Sequence, residues 1–241
     1  MPHTLFISDL HLGPGTAQAN AALLRFLRET APGADALYVL GDLFESWIGD
    51  DALGQPFEGG LARAFRTLSD SGVPVYFMRG NRDFLVGARF ARECGMTILE
   101  DPALVDLYGT PTLLMHGDTL CTDDVEYQRF RRKVRNPLVQ RLFLALPFAL
   151  RGWVARSLRG KSALAKQGKA MSIMDVAPEE VRAVLRRHGR PRLIHGHTHR
   201  PARHEHIVDG ATCERWVLAD WYEHGSYLRC DASGCSPQPL G

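Results

Sequence analysis

The sequence has few cysteines, and they show no paired pattern. Its 241 residues hold five cysteines, and no two of them form a Cys-x-x-Cys pair. Because their number is odd and their spacing irregular, we predict neither a disulfide framework nor a zinc knuckle, and we expect reduced thiols. These residues are Cys94, Cys121, Cys213, Cys230 and Cys235.

Long apolar runs and an excess of one charge are also missing. The most apolar stretch, residues 142–150, contains Pro147 and is much shorter than the about 20 residues of a membrane-spanning helix. No basic and apolar leader is present, so we expect no signal peptide. The chain has 29 Lys and Arg against 27 Asp and Glu, and 45% of its residues are hydrophobic. These values are typical of a globular domain and exclude a disordered or fibrous chain.

The balanced total charge hides one strongly basic segment. Residues 125–170 contain twelve Lys and Arg and a single acid, Glu126, whereas the rest of the chain has 17 bases and 26 acids. Such a segment is typical of a surface that meets anions. Its pattern predicts helices throughout, with breaks expected at Pro137, Pro147, Gly152 and Gly160.

Short apolar runs recur along the chain and predict buried strands. Helical patterns over Ala19–Thr30 and Gly60–Ser71 separate the first of these runs, and a further helix is predicted at Pro178–His188. This alternation predicts one layered α/β domain over residues 1–241, with the basic segment as an inserted cap at about 125–170. The predicted strands are Thr4–Ile7, Ala36–Leu40, Val73–Met78, Thr112–Met115 and Arg192–Ile194, followed by antiparallel strands at His204–Val208, Arg215–Ala219 and Ser226–Cys230.

Each of the first five strands is followed by residues of the types that bind metal ions. Ligands of α/β sheets bind at the carboxyl ends of strands, so we expect these residues to converge. Two Asp, one Asn and four His exceed the needs of one cation, whereas two cations that share a bridging carboxylate would use them all. Nitrogen and oxygen donors of this kind suit Mn²⁺, Fe or Zn²⁺. The seven candidates are Asp9, His11, Asp42, Asn81, His116, His195 and His197.

Each of these motifs taken alone has an ordinary structural explanation. A Gly-Asp pair after a strand is more often a turn or a helix cap than a ligand, and Asp-x-His is common on surface loops. Their occurrence in order after five successive strands is what indicates a site.

In that order, Asp-x-His, Gly-Asp, Gly-Asn, His-Gly and Gly-His-Thr-His resemble the calcineurin-like metallophosphoesterase superfamily along nearly the whole chain. The resemblance implies a four-layer α/β/β/α sandwich and a dinuclear metal site. It also implies that Asp42 bridges two metals, one held with Asp9, His11 and His197 and the other with Asn81, His116 and His195.

The third motif narrows the resemblance, because it reads Gly80-Asn81-Arg82-Asp83 where most of the superfamily has Gly-Asn-His. An arginine does not donate a proton near neutral pH, but it binds phosphate oxygens in bidentate fashion. With the blocks FISDLHL, GDLFESWIGDD, RGNRDFL, HGDTLCTDD, SIMDV and IHGHTHRP, the chain resembles the UDP-2,3-diacylglucosamine diphosphatases of lipid A biosynthesis.

That family implies a hydrolase with two Mn²⁺ ions. Attack on the α-phosphorus of UDP-2,3-diacylglucosamine would release UMP and 2,3-diacylglucosamine 1-phosphate. The family's Ser-x-x-x-Asn-x-x-Lys pattern falls on Ser162, Lys166 and Lys169, so lysine stands at the asparagine position. We expect His199 to contact the metal ligands and not to bind a metal itself. The implied catalytic residues are Asn81, Arg82 and His116, and the implied substrate-binding residues are Asn81, Arg82, Asp124, Ser162, Lys166, Lys169 and His195.

The resemblance also accounts for the basic cap. We expect a monomer in the cytoplasm, bound peripherally to the inner membrane, with basic side chains at anionic headgroups and apolar ones around the acyl chains. An amphipathic cap that packs its apolar face on the core is the alternative. The apolar candidates are Leu138, Leu142, Phe143, Leu146, Phe148, Leu150, Trp153 and Val154.

Two other functions stay open. Another dinuclear phosphodiesterase, a protein phosphatase or a nuclease would use the same ligands. Against a nuclease, the cap alternates its basic residues with aliphatic ones and not with stacking aromatics, so no nucleic-acid partner is expected. A non-enzymatic module with structural metals is less favoured, because such sites close their coordination with protein ligands and need no second cation.

Overall fold

The computed structural model describes residues 1–167, 175–222 and 225–240. In chain order its helices and strands are β1 (Thr4–Ile7), α1 (Ala17–Glu29), β2 (Ala36–Val39), α2 (Pro56–Asp70), β3 (Val75–Met78), α3 (Ala88–Cys94), β4 (Met96–Leu99), β5 (Ala103–Leu107), β6 (Thr110–Met115), α4 (Val125–Val134), α5 (Pro137–Leu144), α6 (Phe148–Gln167), α7 (Pro178–Arg187), β7 (Arg192–His195), β8 (Ala202–Val208), β9 (Ala211–Val217), β10 (Ser226–Asp231) and β11 (Gly234–Pro239).

The strands form two sheets. The first has the order β11-β10-β1-β2-β3-β4, in which β1 to β4 run parallel and β10 and β11 are antiparallel additions. The second has the order β5-β6-β7-β9-β8, with β6, β7 and β9 parallel and an antiparallel strand at each edge. Parallel strands of both sheets therefore end at sheet edges that carry the polar motifs.

Alternation along the strands divides the core into layers. On β1, Leu5 and Ile7 pack with helices α1 to α3, whereas Phe6 packs with Ile194 of the second sheet. Because successive strand side chains point to opposite faces, β1 contributes to two cores. Helix α7 covers the outer face of the second sheet through Val181 and its neighbours. The architecture is helix, sheet, sheet, helix, which confirms the predicted four-layer α/β/β/α sandwich.

The predicted strands and helices are present within a few residues, but four elements were not predicted. Helix α3 has only seven residues, and polar and apolar residues alternate too weakly in β4 and β5 for a strand to be predicted there. Strand β11 contains Pro237 and Pro239, which disfavour a central strand. It exists because it is an edge strand that pairs only with β10.

The prediction of reduced thiols is wrong for one pair of cysteines. Cys230 of β10 and Cys235 of β11 lie opposite each other in the ladder and form a disulfide. The tight turn between them, in which Ser233 donates its N–H to Asp231, brings residues five apart into register. Cys94 and Cys213 are free thiols, as predicted, and both of them and Cys121 are buried.

The basic segment forms three helices, α4, α5 and α6. Two of the four predicted breaks are correct, because α5 begins at Pro137 and Pro147 precedes α6; Gly152 lies inside α6, and so does Gly160. A glycine lowers helix stability without ending the helix when neighbouring turns hold it. Among the residues that the structure describes, no helix is both long and apolar enough to cross a membrane.

Candidate active site

The loops that follow β1, β2, β3, β6 and β7 meet at one place. Hydrogen bonds join them: Asp9 N–H donates to Gly41 O at 3.0 Å, His11 N–H donates to Asp42 O at 3.0 Å, and Gly196 N–H donates to His116 O at 2.9 Å. Five residues of these loops have left-handed backbone, which is uncommon outside glycine and typical of functional sites. They are Asp9 (φ 55°), His11 (49°), Asp42 (51°), His197 (68°) and His199 (55°).

Asp9, His11 and His199 form the first side-chain cluster. Nε2 of His199 lies 3.3 Å from Nε2 of His11 and 3.4 Å from Oδ1 of Asp9. Asp9 is fully buried, and its other oxygen accepts hydrogen bonds from Ser8 Oγ and the His197 N–H. The three groups therefore present imidazole and carboxylate atoms to one point.

Asn81, His116 and His197 form the second cluster. Oδ1 of Asn81 lies 3.0 Å from Nε2 of His116 and 2.8 Å from Nδ1 of His197. The other nitrogen of His116, Nδ1, lies 2.9 Å from the carbonyl oxygen of Leu40. That contact orients the ring so that Nε2 faces the cluster. Ligand histidines are commonly oriented in this way by a partner of their other ring nitrogen.

The Asp42 carboxylate lies between the two clusters. Its Oδ2 is 3.9 Å from Nε2 of His11, and its Oδ1 is 3.8 Å from Nε2 of His116. A side chain on Gly80 would come within 2.2 Å of Oδ1, so only glycine lets the β3 loop approach this closely. One carboxylate thus faces both groups of imidazoles, as a bridging ligand must.

The residues present fit a pair of divalent cations. Asp9 Oδ1 is buried and accepts no well-aligned hydrogen bond from the residues that the structure describes. Burial disfavours the charged form of His116, but the carboxylates of Asp42 and Asp9 outweigh it and raise its pKa to about 9. The field at the site therefore favours positive charge, and its donors are the oxygen and nitrogen atoms that Mn²⁺, Fe and Zn²⁺ accept.

The structure corrects the placement of the histidines. His197 lies where His195 was expected, beside Asn81 and His116, and His199 lies where His197 was expected, beside Asp9 and His11.

His195 itself ends β7 and turns away from both clusters. Its Nε2 lies 3.0 Å from Nη1 of Arg215, and its Nδ1 lies 2.8 Å from Gly196 O. Burial, followed by the charge of Arg215, lowers the pKa of His195 to about 3. A neutral imidazole that accepts a hydrogen bond from Arg215 is a structural residue, so the structure does not place His195 among the metal or substrate groups.

A local signal for the correct assignment was present in the sequence. Asp42 and Asn81 each directly follow a glycine, Gly41 and Gly80. The same rule applied to Gly196 selects His197, and His199 then follows after one residue.

Arg82 and Glu45 stand at the rim of the site. The backbone N–H of Arg82 donates to Asp42 Oδ1 at 2.7 Å, and its guanidinium lies 3.5 Å from Glu45. The other Glu45 oxygen lies 3.2 Å from Nδ1 of His11. Glu45 is not among the predicted site residues, although it belongs to the GDLFESWIGDD block. It orients a ligand histidine from behind and holds the arginine toward the site.

Asp83 fixes the loop that carries these groups. Its buried carboxylate accepts the N–H groups of Leu43 and Gly80, both at 2.7 Å. Burial, followed by the charge of Asp42, raises the pKa of Asp83 to about 6. These bonds tie the β2 loop to the β3 loop, so Asp42 and Asn81 keep their separation.

The remaining substrate-binding candidates are on the cap side. Asp124 is the N-cap of α4, where its Oδ1 accepts the N–H of Tyr127 at 3.0 Å. Ser162 and Lys166 fall in the last turns of α6. The side chains of these two residues, and the whole of Lys169, lie outside the described part of the chain. Their contacts with substrate, like that of Asp124, stay predictions.

Comparisons with known proteins identify relatives of this chain. The family described as calcineurin-like phosphoesterase matches residues 2–201. A UDP-2,3-diacylglucosamine hydrolase of Stenotrophomonas maltophilia K279a is 55% identical over 244 residues, which cover 98% of each chain. One of Edwardsiella ictaluri is 55% identical over 232 residues, covering 96% of this chain and 89% of the relative. A solved structure of an archaeal phosphodiesterase aligns over 99% of each chain at 13% identity, with a TM-score of 0.46.

Proposed function

This chain belongs to the calcineurin-like phosphoesterase family, among its UDP-2,3-diacylglucosamine hydrolases, and from that premise we propose how its site acts. It hydrolyses the pyrophosphate bond of UDP-2,3-diacylglucosamine by attack of water on the α-phosphorus, which gives UMP and 2,3-diacylglucosamine 1-phosphate. The observation that carries this proposal is the Asp42 carboxylate, which faces both imidazole clusters. All of these groups come from one chain, which supports a monomer as the functional unit.

Two Mn²⁺ ions are the proposed cofactor. Asp9, His11 and His199 would hold one, Asn81, His116 and His197 the other, and Asp42 both. When bound, such a pair lowers the pKa of water and neutralises charge on the attacked and leaving oxygens. The donor set contains no thiolate, which supports Mn²⁺ over metals that prefer sulfur.

Arg82 is the proposed phosphate clamp. Its guanidinium is half-buried at the rim and paired with Glu45, so the side chain is extended toward the clusters before substrate arrives. A planar guanidinium can donate two parallel hydrogen bonds to phosphoryl oxygens. Because it stays charged at any physiological pH, it stabilises negative charge that grows on those oxygens and takes no part in proton transfer.

Turnover by the metal-stripped protein tests the function. We expect UMP release from UDP-2,3-diacylglucosamine to return when Mn²⁺ is added. Turnover of UDP-N-acetylglucosamine, which carries an acetyl group and no long acyl chain, is expected to be much slower. If an aryl phosphodiester were cleaved but the diacyl substrate were not, the proposal of a dinuclear site would be supported and the assignment of a lipid substrate would be wrong.

We also propose that the cap rests on the cytoplasmic face of the inner membrane. Phe143 and Phe148 pack against the domain core, whereas Leu138 and Trp153 are more than half exposed. Arg141 and Arg156 are exposed beside them. The cap thus has an apolar inner side and an outer side that mixes apolar and basic residues, which is the composition of an interfacial surface.

Replacing Leu142 by Glu is expected to weaken binding to vesicles of phosphatidylglycerol and phosphatidylethanolamine by about tenfold or more, because an inserted leucine contributes about 2 kcal/mol. Vesicle co-sedimentation measures this. Ile207→Glu on β8 is the matched control, since Leu142 and Ile207 have the same exposed fraction, 64%. Equal losses in both variants, or binding that is insensitive to added salt, would contradict a cap-directed membrane surface.

A further inference from the structure

Helix α4 is held to the domain by polar contacts and not by an apolar face. None of its residues, all of which the structure describes, is buried. The side chains that reach the domain include those of Tyr127, Arg131 and Arg135, at intervals of four residues; Arg135 is the C-cap residue that directly follows Val134. Residues four apart share one face of a helix, so this face carries a row of long polar groups.

Two members of the row bind the loop that carries His116. Asp118 is buried two residues after His116, and its Oδ2 accepts the Tyr127 hydroxyl at 2.6 Å and Nε–H of Arg131 at 2.7 Å. The adjacent Gln128 donates to the backbone oxygen of Asp118 at 2.8 Å. Charge-assisted hydrogen bonds to a buried carboxylate are the stronger kind. This end of α4 is therefore fastened to the second sheet.

The third member binds a loop of the other sheet. Nη2 of Arg135 donates to the backbone oxygen of Gly80 at 2.8 Å, and its guanidinium lies 5.4 Å from the ring centre of Phe84. Gly80 directly precedes Asn81. One turn of α4 thus separates a bond to the His116 loop from a bond to the Asn81 loop.

The second side-chain cluster, Asn81, His116 and His197, is formed across those two loops. Asn81 comes from the first sheet and His116 from the second, with 3.0 Å between Oδ1 and Nε2. The ring of Tyr127 also stacks on His197 of the same cluster, with 6.0 Å between centroids. The contacts of α4 are therefore made to His197 and to the two loops that carry Asn81 and His116.

We propose that Arg131 and Arg135 are positioning residues, which fix the distance between the Asn81 and His116 loops and so shape the second cation site. This inference rests on the proposed dinuclear site. In this proposal α4, a helix of the cap, also helps to position the metal ligands. Alternatively, the two arginines hold only the cap in place, in which case their loss affects the lipid substrate alone.

The test compares Arg131→Met and Arg135→Met with Arg132→Met, an exposed position of the same helix. Two substrates are used: UDP-2,3-diacylglucosamine, and bis(p-nitrophenyl) phosphate, which is too small to need the cap. Removal of groups that orient ligands commonly costs about 10- to 100-fold in activity or metal affinity. We expect a fall of about tenfold or more in kcat for both substrates, with KM for the small diester changed less than about threefold.

A second readout does not depend on activity. Calorimetric titration of the metal-stripped protein with Mn²⁺ is expected to show that both variants bind the weaker ion about tenfold less tightly, while Arg132→Met matches the unmodified protein. Arg135→Lys keeps a donor and a positive charge, so it is expected to recover part of the loss. Thermal melting identifies any variant that is unfolded, and the lysine variants then replace the methionine ones.

Two results would overturn the inference. One is Mn²⁺ affinity and diester turnover in Arg131→Met and Arg135→Met equal to those of Arg132→Met. The other is a loss restricted to KM for the diacyl substrate. Failure of the proposed function is recognised separately, because the unmodified protein would then leave the diacyl substrate intact while the diester and Mn²⁺ measurements still report on the arginines.

Discussion

Asp42→Ala is expected to lower hydrolysis of UDP-2,3-diacylglucosamine by about 10³-fold or more, with Mn²⁺ in excess. The carboxylate of Asp42 faces His11 on one side and His116 on the other, so its loss removes a ligand from both proposed cation positions. A metal ion supplies several kcal/mol of stabilisation to the transition state, and each 1.36 kcal/mol is a factor of ten in rate. Steady-state release of UMP measures the effect.

The matched control is Asp70→Ala. Asp70 is also an aspartate, but it is an exposed residue of α2 paired with Arg66 one turn away, and such pairs contribute little to stability. We expect the control to retain full turnover and two bound Mn²⁺ ions. Full turnover in Asp42→Ala would refute the dinuclear mechanism, whereas loss in both variants would point to unfolding, which melting curves detect.

The three histidines after β7 are expected to differ sharply on replacement by Ala. For His197→Ala and His199→Ala we expect bound Mn²⁺ to fall from two ions toward one and turnover to fall by about 10²-fold or more, since each position loses an imidazole ligand. For His195→Ala we expect two bound ions. Elemental analysis of the dialysed proteins, together with UMP release, measures both quantities.

His195→Ala is expected to act on stability instead. Its ring lies against Arg215, which is itself buried, and removing one partner of a buried hydrogen-bonded charge costs about 2–4 kcal/mol. Chemical denaturation gives this free energy. His195→Gln keeps an acceptor for Arg215, so it is expected to recover part of it. If His195→Ala lost a metal ion and His199→Ala did not, the ligand assignment from the structure would be incorrect.

The chemistry of the site could be predicted from the sequence because it depends on residue types and on their order. Asp9, Asp42 and Asn81 each follow an apolar strand, and parallel strands bring such positions to one edge whatever the details of packing. The same holds for the family, whose blocks are contiguous stretches of sequence. The four-layer architecture then followed from the resemblance and from short strands that alternate with amphipathic helices.

The order and spacing of the motifs did not choose among the histidines, although the position of His197 directly after Gly196 favours it. His195 and His197 are two residues apart, and so are His197 and His199, so spacing alone fits both pairs equally well. The choice depends on where β7 ends and on the left-handed backbone of His197 and His199, which rotates their side chains toward the clusters. Neither is local: the loop is held by the bond from Gly196 to His116 on a neighbouring strand.

Residue types that are available for chemistry, their positions along the chain and the basic and apolar character of one segment are all properties of the amino-acid sequence. Which side chains meet depends on the three-dimensional fold. The fold places His197 and His199, and not His195, among the candidate metal ligands. It also pairs Cys230 with Cys235 and connects α4 to two ligand loops through Arg131 and Arg135. Residue type and periodicity are local properties of a chain. Contacts between distant loops depend instead on the register of two sheets and on hydrogen bonds between them, which no single segment encodes.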